Sequence, residues 1–343
     1  MKALVLEEYN KLVYTDFPDP VIQDDEVLVK IRACGICGSD IHGMDGSTGR
    51  RIPPLIMGHE ASGDIIQAGA EVKGWKIGDR VTFDSTVYDP GDWYSRNGQY
   101  NLSNGRQVFG VSPGEYRRHG AFAEYLAVPA HILYRIPEKV SYYEAAMVEP
   151  VAVAAHALNV SSFEEGDKAL VVGAGMIGSF VIALLKIAGA ASVIAADKDP
   201  SKRNLAVMYG ADVFLDPALS AFKDRINELT EGRGADIAFD AVGINDSFRT
   251  AITSVRRGGS VTIIGNTSPA AELPLQYTVV NQISIQGSCA INGEYAKVLE
   301  LMDKNLIDVQ PMISKIVPLS EGAEWFRKLY SREYNLNKVI LVP

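Results

Sequence analysis

The stretch Ala169-Leu170-Val171-Val172-Gly173-Ala174-Gly175-Met176-Ile177-Gly178 decides the fold of half of this chain. Its four leading apolar residues predict a buried strand, and three glycines follow with the spacing G-x-G-x-x-G before a helical pattern begins. Glycine allows a tight turn and close approach of a pyrophosphate, which the helix N-terminus attracts. The residues expected to lie at the coenzyme here are Gly173, Gly175, Ile177 and Gly178. The stretch therefore predicts a dinucleotide-binding turn.

Strand and helix patterns alternate around this turn, from about residue 151 to residue 290. The strand candidates are 168–172, 192–196, 212–215, 236–240, 260–264 and 283–287, with helical patterns between them, as in 180–188 and 247–255. Six strands joined by helical crossovers predict an α/β fold of the Rossmann type, a doubly wound parallel sheet. After residue 290 the pattern changes to two helices, near 294–303 and 320–330, and a closing strand at 338–342.

The choice of coenzyme depends on Asp197, which ends the second strand of this region. A carboxylate there is placed to accept both hydroxyls of the adenosine ribose and repels a 2′-phosphate, so NAD is favoured over NADP. Lys202 and Arg203 weaken this preference, because they could pair with a phosphate, although Lys202 is expected at the ribose or the adenine. Further coenzyme contacts are expected from residues that end later strands at the same sheet edge: Val242, Ile264 and Gly265.

The first 150 residues have a different texture, with short alternating runs separated by Gly, Pro and Asp. Examples are 26–31, 63–66 and 123–128. Such spacing predicts a β-rich, barrel-like domain. With 343 residues the chain is also too long for one typical core, so two domains are expected.

Two short islands in this region carry metal-binding chemistry: Cys37-Gly38-Ser39-Asp40-Ile41-His42 and Gly58-His59-Glu60. A thiolate, an imidazole and a carboxylate suit a catalytic zinc, which takes three protein ligands and keeps one position open. Two carboxylates compete for the third place, Glu60 and Glu149. Neighbouring residues on a strand point in different directions, so His59 and Glu60 need not bind together, and the third ligand stays open.

The cysteine count and the net charge limit the possible metal sites, partners and cellular location of the protein. The only cysteines are Cys34, Cys37 and Cys289, too few for a closed four-cysteine zinc site or a disulfide framework. Cys34 and Cys37 form a Cys-x-x-Cys pair, but no thioredoxin-like βαβ pattern surrounds it. A net charge of −9 argues against nucleic acid or an anionic membrane as partner. We found neither a secretory signal nor an apolar stretch long enough to span a bilayer, so a cytoplasmic location is expected.

Taken together, these motifs resemble the zinc-containing medium-chain dehydrogenase/reductase superfamily, particularly its polyol (sorbitol-like) and threonine dehydrogenase branches. The stretches that carry the resemblance are 35–40, 58–60, 120–125, 148–150 and 173–178. It implies a GroES-like catalytic domain over 1–152, a Rossmann NAD-binding domain over 153–289, and a return to the catalytic domain over 290–343. It also implies a homodimer or homotetramer, for which 283–286 is a candidate edge strand.

The resemblance also implies roles for individual residues. One catalytic Zn²⁺ per chain would be held by Cys37, His59 and Glu60, with Glu149 reaching the metal directly or through water. Ser39 would be the hydroxyl beside the zinc, and His42 a proton-relay or site-lining group.

Two departures from the family pattern affect metal and substrate. In many relatives one lobe carries four cysteines that bind a structural zinc. The matching positions in this chain are Asp89, Asp92, Ser95 and Ser103, so no structural zinc is expected. The lobe is expected to be a solvated loop or, less readily, a site for a hard cation. The Arg-Tyr pair typical of sorbitol-type enzymes is missing from the matching stretch 288–291, and Gly43 replaces an aromatic residue. The polyol pocket is therefore altered.

The expected activity is zinc-dependent, NAD-linked oxidation of a secondary alcohol of a polyol or sugar-like small molecule to the ketone. Alternatives within the family are a threonine- or 2,3-butanediol-type dehydrogenase and a sugar-alcohol phosphate dehydrogenase. The basic stretch 114–119 is either a solvated loop or an entrance that favours anionic sugars through Arg117. A zinc-free NADPH reductase and a non-catalytic nucleotide-binding protein are alternatives of other classes.

Overall fold

The strands and helices follow the predicted patterns along most of the chain. The computed structural model describes residues 1–111, 118–331 and 336–343. The strands are β1 (Lys2–Glu8), β2 (Lys11–Asp16), β3 (Glu26–Gly35), β4 (Leu55–Ile56), β5 (Glu60–Ala68), β6 (Arg80–Phe83), β7 (Thr86–Val87), β8 (Gln107–Val108), β9 (Tyr125–Pro129), β10 (Leu133–Arg135), β11 (Lys168–Val172), β12 (Ser192–Ala196), β13 (Val213–Leu215), β14 (Ala235–Asp240), β15 (Val255–Ile263), β16 (Ser284–Gly287), β17 (Ile313–Pro318) and β18 (Lys338–Val342). The helices are α1 (Gly38–Gly43), α2 (Trp93–Arg96), α3 (Tyr142–Ala146), α4 (Val148–Asn159), α5 (Met176–Ile187), α6 (Arg203–Met208), α7 (Phe222–Leu229), α8 (Asn245–Ser254), α9 (Leu275–Val280), α10 (Tyr295–Asp303) and α11 (Gly322–Tyr330).

Contacts divide the chain into two units. One contains Met1–Glu149 together with Ile291–Pro343, and the other contains Pro150–Ala290. The second unit is thus an insertion in the sequence of the first. No helix among the described residues is long and apolar enough to cross a membrane.

The inserted unit has the parallel sheet that the glycine-rich stretch predicts. Its six strands lie in the order β13-β12-β11-β14-β15-β16, and every neighbouring pair is parallel. The strand β11 lies between β12 and β14, with Val172 opposite both Ala196 and Asp240. The carboxyl ends of these strands meet at one sheet edge, where ligands bind in such folds. The Rossmann prediction is confirmed.

One strand of this sheet is longer than predicted. The pattern indicates 260–264, whereas β15 begins at Val255. Ala235 pairs with Val255, and a register shift follows before Ile237 pairs with Ser260. Two glycines and two arginines occupy the shifted segment, so it lacks the apolar run by which a buried parallel strand is identified.

The first unit is built on a mixed sheet with the order β10-β6-β5-β3-β18-β17, in which β9 also pairs with β3. The strands β17 and β18 are parallel, and the other pairs are antiparallel. Alternate residues of β3 enter the core: Val27, Val29 and Ile31 are at most 2% exposed. Burying each such side chain contributes roughly 1.5–3 kcal/mol. The last strand, β18, pairs with β3 through Ile340 opposite Gly35, so the C-terminal tail belongs to this sheet.

The start of α4 differs from the sequence prediction. Because a residue before proline avoids helical angles, the sequence places a helix start at Pro150, yet α4 begins at Val148 and includes Glu149. Proline is tolerated in the first turn because the backbone N–H that it lacks would have no intrahelical partner there. Glu149 therefore lies in the first turn of a helix.

Candidate metal centre and coenzyme site

Cys37 lies between the end of β3 and the start of α1, where it is the residue that caps the helix. Its side chain is half-buried. The hydroxyl of Ser39 donates a hydrogen bond to Cys37 Sγ at 3.2 Å, and the Cys37 backbone N–H lies 3.4 Å from Asp40 Oδ2. These contacts fix the sulfur at the end of a buried strand.

His59 and Glu60 follow a turn that requires glycine. Gly58 has a φ of +95°, and a Cβ there would lie 2.9 Å from the Cys34 sulfur. The chain then enters β5, whose first residue Glu60 pairs with Gly35 of β3. A Cβ on Gly35 would lie 2.3 Å from Glu60 Oε2, so the missing side chain is what gives the carboxylate its place against β3.

The structure brings three predicted metal ligands together. One ligand atom from each of Cys37, His59 and Glu60 can be chosen so that all three lie within 4.8 Å of one another. Glu149 is not in this group; its Oε1 accepts a hydrogen bond from the Ser85 hydroxyl at 3.4 Å. Burial raises the pKa of Glu149, with the negative charge of Glu60 adding to the shift and His59 opposing it.

Asp40, fully buried, connects these ligands electrostatically. Its Oδ1 accepts a hydrogen bond from Arg51 Nη2 at 2.8 Å and lies 3.5 Å from His59 Nδ1, longer than a normal hydrogen bond. Burial would raise the Asp40 pKa, but the charges of His59 and Arg51 lower it well below its usual range. Burial would lower the His59 pKa, but Asp40 and Cys37 raise it well above its usual value. These shifts favour the charged form of Asp40 and the protonated form of His59.

Lys338 supplies a second buried cation, in contact with Glu60. Its Nζ lies 2.5 Å from Glu60 Oε2 and donates to the Ile36 carbonyl at 3.0 Å. Burial would lower the Lys338 pKa, but the charge of Glu60 raises it. Glu60 Oε1 is buried without a hydrogen-bond partner among the described residues. A thiolate, an imidazole and this unpartnered carboxylate oxygen fit a catalytic zinc.

The two predicted relay residues lie on the outer side of α1. Ser39 and His42 are both exposed. Ser39 Oγ donates to Cys37 Sγ and accepts a hydrogen bond from Arg51 Nη2 at 3.1 Å. The His42 carbonyl accepts a hydrogen bond from the Ser47 hydroxyl at 2.9 Å. Ser39 is therefore in contact with the sulfur, and its hydroxyl is fixed by two partners.

The glycine-rich turn of the inserted unit has the geometry that the sequence predicts. Gly173 has a φ of +92°, and a Cβ on Gly178 would lie 1.7 Å from the Gly173 carbonyl oxygen. Asp197 accepts hydrogen bonds from the backbone N–H groups of Ala174 at 2.8 Å and Asp199 at 2.9 Å. The backbone of the chain itself therefore holds the carboxylate at the turn.

A cavity of about 520 Å³ opens beside this turn, within the inserted unit. Gly173, Asp197 and Val242 line it, and so do Lys198, Lys223 and Arg249, which the sequence analysis does not single out. The other predicted coenzyme contacts lie outside the described lining of the cavity; they are Gly175, Ile177, Gly178, Lys202, Ile264 and Gly265. Gly265 packs against Gly243, where a Cβ would lie 2.1 Å from the Gly265 carbonyl.

The lobe with the cysteine replacements is held by hydrogen bonds. Asp92 caps α2 by accepting from the Tyr94 N–H at 2.8 Å and accepts from the Asn104 side chain at 3.0 Å. Asp89 accepts from the Gly91 N–H at 2.7 Å. Among the described residues, no cluster of metal-binding groups includes this lobe. These contacts are those of a self-supported loop.

Three basic residues make contacts that the sequence analysis did not predict. Arg51 and Lys338, both buried at the centre, were missed; the one signal for Lys338 is a lysine at the head of the apolar run 338–342. Arg118 of the basic stretch donates to Glu26 at 2.7 Å and covers the Phe109 ring. Arg117, the residue proposed for an anionic substrate, lies outside the described residues.

Comparison with known families supports the same chemistry. Residues 23–138 match the alcohol dehydrogenase GroES-like domain, and residues 177–304 match the zinc-binding dehydrogenase family. The chain is 30% identical over 348 residues to the sorbitol dehydrogenase of Bacillus subtilis (strain 168), covering 100% of this chain and 97% of that protein. It is 32% identical over 326 residues to the D-arabitol-phosphate dehydrogenase of Enterococcus avium, covering 94% and 91% respectively.

Solved structures agree over the whole length. The 2R,3R-butanediol dehydrogenase of Bacillus subtilis superposes with a TM-score of 0.89 at 30% identity, covering 100% of this chain and 99% of that one. A zinc-binding dehydrogenase from Sinorhizobium meliloti 1021 bound to NADP superposes with a TM-score of 0.91 at 26% identity, with the same coverage. Both similarities extend through the two units of the chain.

Proposed function

Because this chain belongs to the zinc-containing medium-chain dehydrogenase/reductase superfamily, in its polyol dehydrogenase branch, we propose that it oxidises a secondary alcohol of a polyol or sugar-like substrate to the ketone with NAD⁺. The chain is an oxidoreductase that acts on CH–OH groups. The proposal rests chiefly on one observation, the convergence of Cys37, His59 and Glu60 within 4.8 Å. These three residues would hold one catalytic Zn²⁺.

When bound, the zinc would polarise the substrate oxygen as a Lewis acid, and the nicotinamide would accept hydride from the carbinol carbon. The substrate thus loses two electrons with one hydrogen as hydride, and its hydroxyl proton has to reach solvent separately. Ser39 would take that proton while it releases its own hydroxyl proton, because its hydroxyl contacts Cys37 Sγ and its side chain is exposed. His42, exposed on the same helix, would accept the proton that Ser39 releases and pass it to solvent, since an imidazole can both accept and donate a proton.

Asp197 supports NAD as the coenzyme. Its carboxylate is fixed by two backbone N–H groups and borders the cavity, where it would accept the ribose hydroxyls and repel a 2′-phosphate. Three basic residues on the same cavity wall, Lys198, Lys223 and Arg249, oppose this preference. Lys198 lies 3.1 Å from Asp246, which offsets its charge.

A sugar-alcohol phosphate dehydrogenase is the second candidate. One relative is a D-arabitol-phosphate dehydrogenase, and the departures at Gly43 and residues 288–291 indicate a pocket unlike that of sorbitol-type enzymes. A vicinal-diol substrate is also compatible with the ligands, as in the butanediol dehydrogenase relative. The substrate therefore has to be identified by experiment.

Assembly and location are part of the proposal. Strand β16 forms one edge of the six-stranded sheet, and all four of its residues are exposed. Such an edge can pair with the same edge of a second copy, which supports a homodimer or homotetramer. We propose a cytoplasmic location from the cysteine usage.

The proposal is tested by metal analysis and a substrate panel. Purified protein should contain about one zinc per chain, and it should reduce NAD⁺ with at least one member of a panel of sugar alcohols, their phosphates and vicinal diols. Cys37→Ala should lose both the zinc and the activity, because no thiolate remains to bind the metal. Cys34→Ala, the matched control at a buried cysteine outside the cluster, should keep its zinc. Full turnover by Cys37→Ala, or by zinc-free protein, would refute the assignment.

A further inference from the structure

Arg51 lies buried beside the metal ligands, and the proposed reaction gives it no task. Its side chain is 2% exposed. Nη2 donates to Asp40 Oδ1 at 2.8 Å and to Ser39 Oγ at 3.1 Å, whereas Nε has no partner among the described residues. Taking a guanidinium out of water is costly, and two hydrogen bonds from one nitrogen compensate for only part of that cost. A residue placed at such a cost requires an explanation.

Gly43 makes the position of Arg51 possible. A Cβ on Gly43 would lie 2.4 Å from Arg51 Cγ and 3.4 Å from Arg51 Cβ and Cδ. The stem of Arg51 therefore fills the space that any larger residue at 43 would occupy. The glycine that alters the substrate pocket thus also admits a positive charge beside α1.

The contact with Ser39 restricts what its hydroxyl can do. A serine hydroxyl has one proton to donate and two lone pairs to accept with. The proton points to Cys37 Sγ at 3.2 Å, and Arg51 Nη2 occupies one lone pair. One lone pair remains, on a side chain that is exposed. Ser39 is thereby left with a single acceptor position for a substrate hydroxyl.

The contact with Asp40 extends the influence of Arg51 to the ligands. Asp40 Oδ1, which binds Arg51, lies 3.5 Å from His59 Nδ1, and Oδ2 lies 3.4 Å from the Cys37 backbone N. Partners of this kind orient ligand side chains and affect metal binding strongly. One nitrogen of Arg51 thus contacts the proposed proton acceptor and the carboxylate that supports the ligands.

We propose that Arg51 is a positioning residue of the dehydrogenase reaction, which holds the Ser39 hydroxyl on the Cys37 sulfur with one lone pair open to the substrate. The inference rests on the proposed function, because only alcohol oxidation requires Ser39 to take the substrate proton on its open lone pair and then to release its own proton from the sulfur. It assigns Arg51 no contact with the substrate.

Substitution of Arg51 gives the first test. Arg51→Lys keeps a positive charge. We expect its ammonium to stay on Asp40, because a carboxylate binds an ammonium more strongly than a serine hydroxyl does. Lysine lacks the planar guanidinium group that contacts Ser39 as well. We expect the zinc content to be kept, KM to change little and kcat to fall by about 10- to 100-fold, since misplacement of about 1 Å can cost 10²-fold. The matched control is Arg50→Lys at the exposed neighbouring arginine, which should be unchanged.

A spectroscopic readout separates positioning from general damage. With Co²⁺ in place of zinc, the charge-transfer band from the Cys37 thiolate reports its hydrogen bonding, because a donated hydrogen bond lowers the energy of the sulfur lone pair. Arg51→Lys and Ser39→Ala should shift this band to longer wavelength, and Arg50→Lys should leave it in place. An unshifted band in Arg51→Lys overturns the proposal, whatever the activity.

A double-mutant cycle decides whether Arg51 acts through Ser39. In a Ser39→Ala background, Arg51→Lys should lower kcat no further. If it lowers kcat by the same factor in both backgrounds, Arg51 acts by another route and the proposal is wrong. Should the Arg51 variant fail to fold, Gly43→Ala replaces it, because its methyl group displaces the Arg51 stem and should shift the same cobalt band. A wild-type protein that oxidises no alcohol refutes the proposed function, while the cobalt band still tests Arg51.

Discussion

At the scale of single residues, two buried cations balance the carboxylates of the candidate metal centre. Arg51 lies against Asp40 and Lys338 against Glu60, and each contact is within 2.8 Å. All four side chains are at most 2% exposed. A buried ion pair adds little to stability by itself, but removing one partner leaves an uncompensated charge. The centre is therefore sensitive to the loss of either cation.

Lys338→Met tests this sensitivity. Glu60 would keep its buried charge and lose the partner at 2.5 Å, so the free energy of unfolding of the metal-free protein should fall by ~3–5 kcal/mol. The measurement is chemical denaturation in the presence of a chelator. Lys315→Met, at an exposed lysine on β17, should change stability by less than about 0.5 kcal/mol. Equal effects of the two substitutions would contradict the role given to Lys338.

Neither cation could be recognised from the sequence. Lys338 is 278 positions from Glu60, and Arg51 reaches Asp40 across a loop without regular structure. The partner of Lys338 depends on how the strands pair, and that of Arg51 depends on the space left by Gly43. Local sequence patterns contain no information about either. Cys37, His59 and Glu60 were predicted because each side chain has metal-binding chemistry of its own. That Glu60 lies with Cys37 and His59 depends on the register of β3 and β5, which the sequence does not reveal.

At the scale of elements, β3 lacks a side chain at the position where the candidate metal centre lies. Gly35 is its last residue, with Glu60 on one neighbouring strand and Ile340 on the other. The carboxylate occupies the volume of the missing side chain. The absence of a side chain at Gly35 therefore determines where the Glu60 carboxylate can lie.

Gly35→Ala should therefore weaken zinc binding without unfolding the sheet. The new methyl group would lie 2.3 Å from Glu60 Oε2 and 3.2 Å from Lys338 Cδ, so the carboxylate has to move. We expect a loss of zinc affinity of about 10- to 100-fold, as for other changes that disturb ligand orientation. Competition with a chelating dye measures it. Gly38→Ala is the control, since a Cβ there meets no atom within 4 Å, and equal affinities in the two variants would be evidence against this view.

Elements of the inserted unit were predicted well because buried parallel strands are short apolar runs between helical patterns. β11 and β12 have the bounds that the sequence indicates. The prediction failed where backbone pairing continues without apolar side chains, as at the start of β15, and where proline is accommodated inside a first turn, as in α4. Apolar patterns in a sequence indicate buried side chains, whereas the start of β15 and the first turn of α4 depend on backbone hydrogen bonding.

At the scale of the whole molecule, stability should depend on pH through Asp84 in the first unit. Asp84 is 1% exposed and accepts hydrogen bonds from the Tyr100 hydroxyl at 2.5 Å and the Thr86 N–H at 2.8 Å. Burial raises its pKa from 3.8 to about 6 in the folded protein, although these hydrogen bonds oppose the shift. The folded state therefore binds this proton more tightly than the unfolded state does.

The sign of the effect follows from that difference. The stabilising contribution is complete below pH 3.8 and is lost as the pH rises through about 6. The loss amounts to ~3 kcal/mol. Asp84→Asn cannot titrate, so its melting temperature relative to that of the wild type should rise between pH 4 and pH 7. Calorimetry across this range measures the difference, and a constant offset between the two proteins would show that Asp84 does not titrate as described.

The position of β18 has a consequence for biosynthesis. Lys338 and the strand that it heads leave the ribosome 278 residues after Glu60. At about 5–20 residues per second, Glu60 is without its counter-charge for some tens of seconds. During translation the inserted unit can complete its sheet, whereas the earlier-made strand β3 pairs with β18 only after β18 has been synthesised. We expect metal loading to be completed only after β18 has left the ribosome.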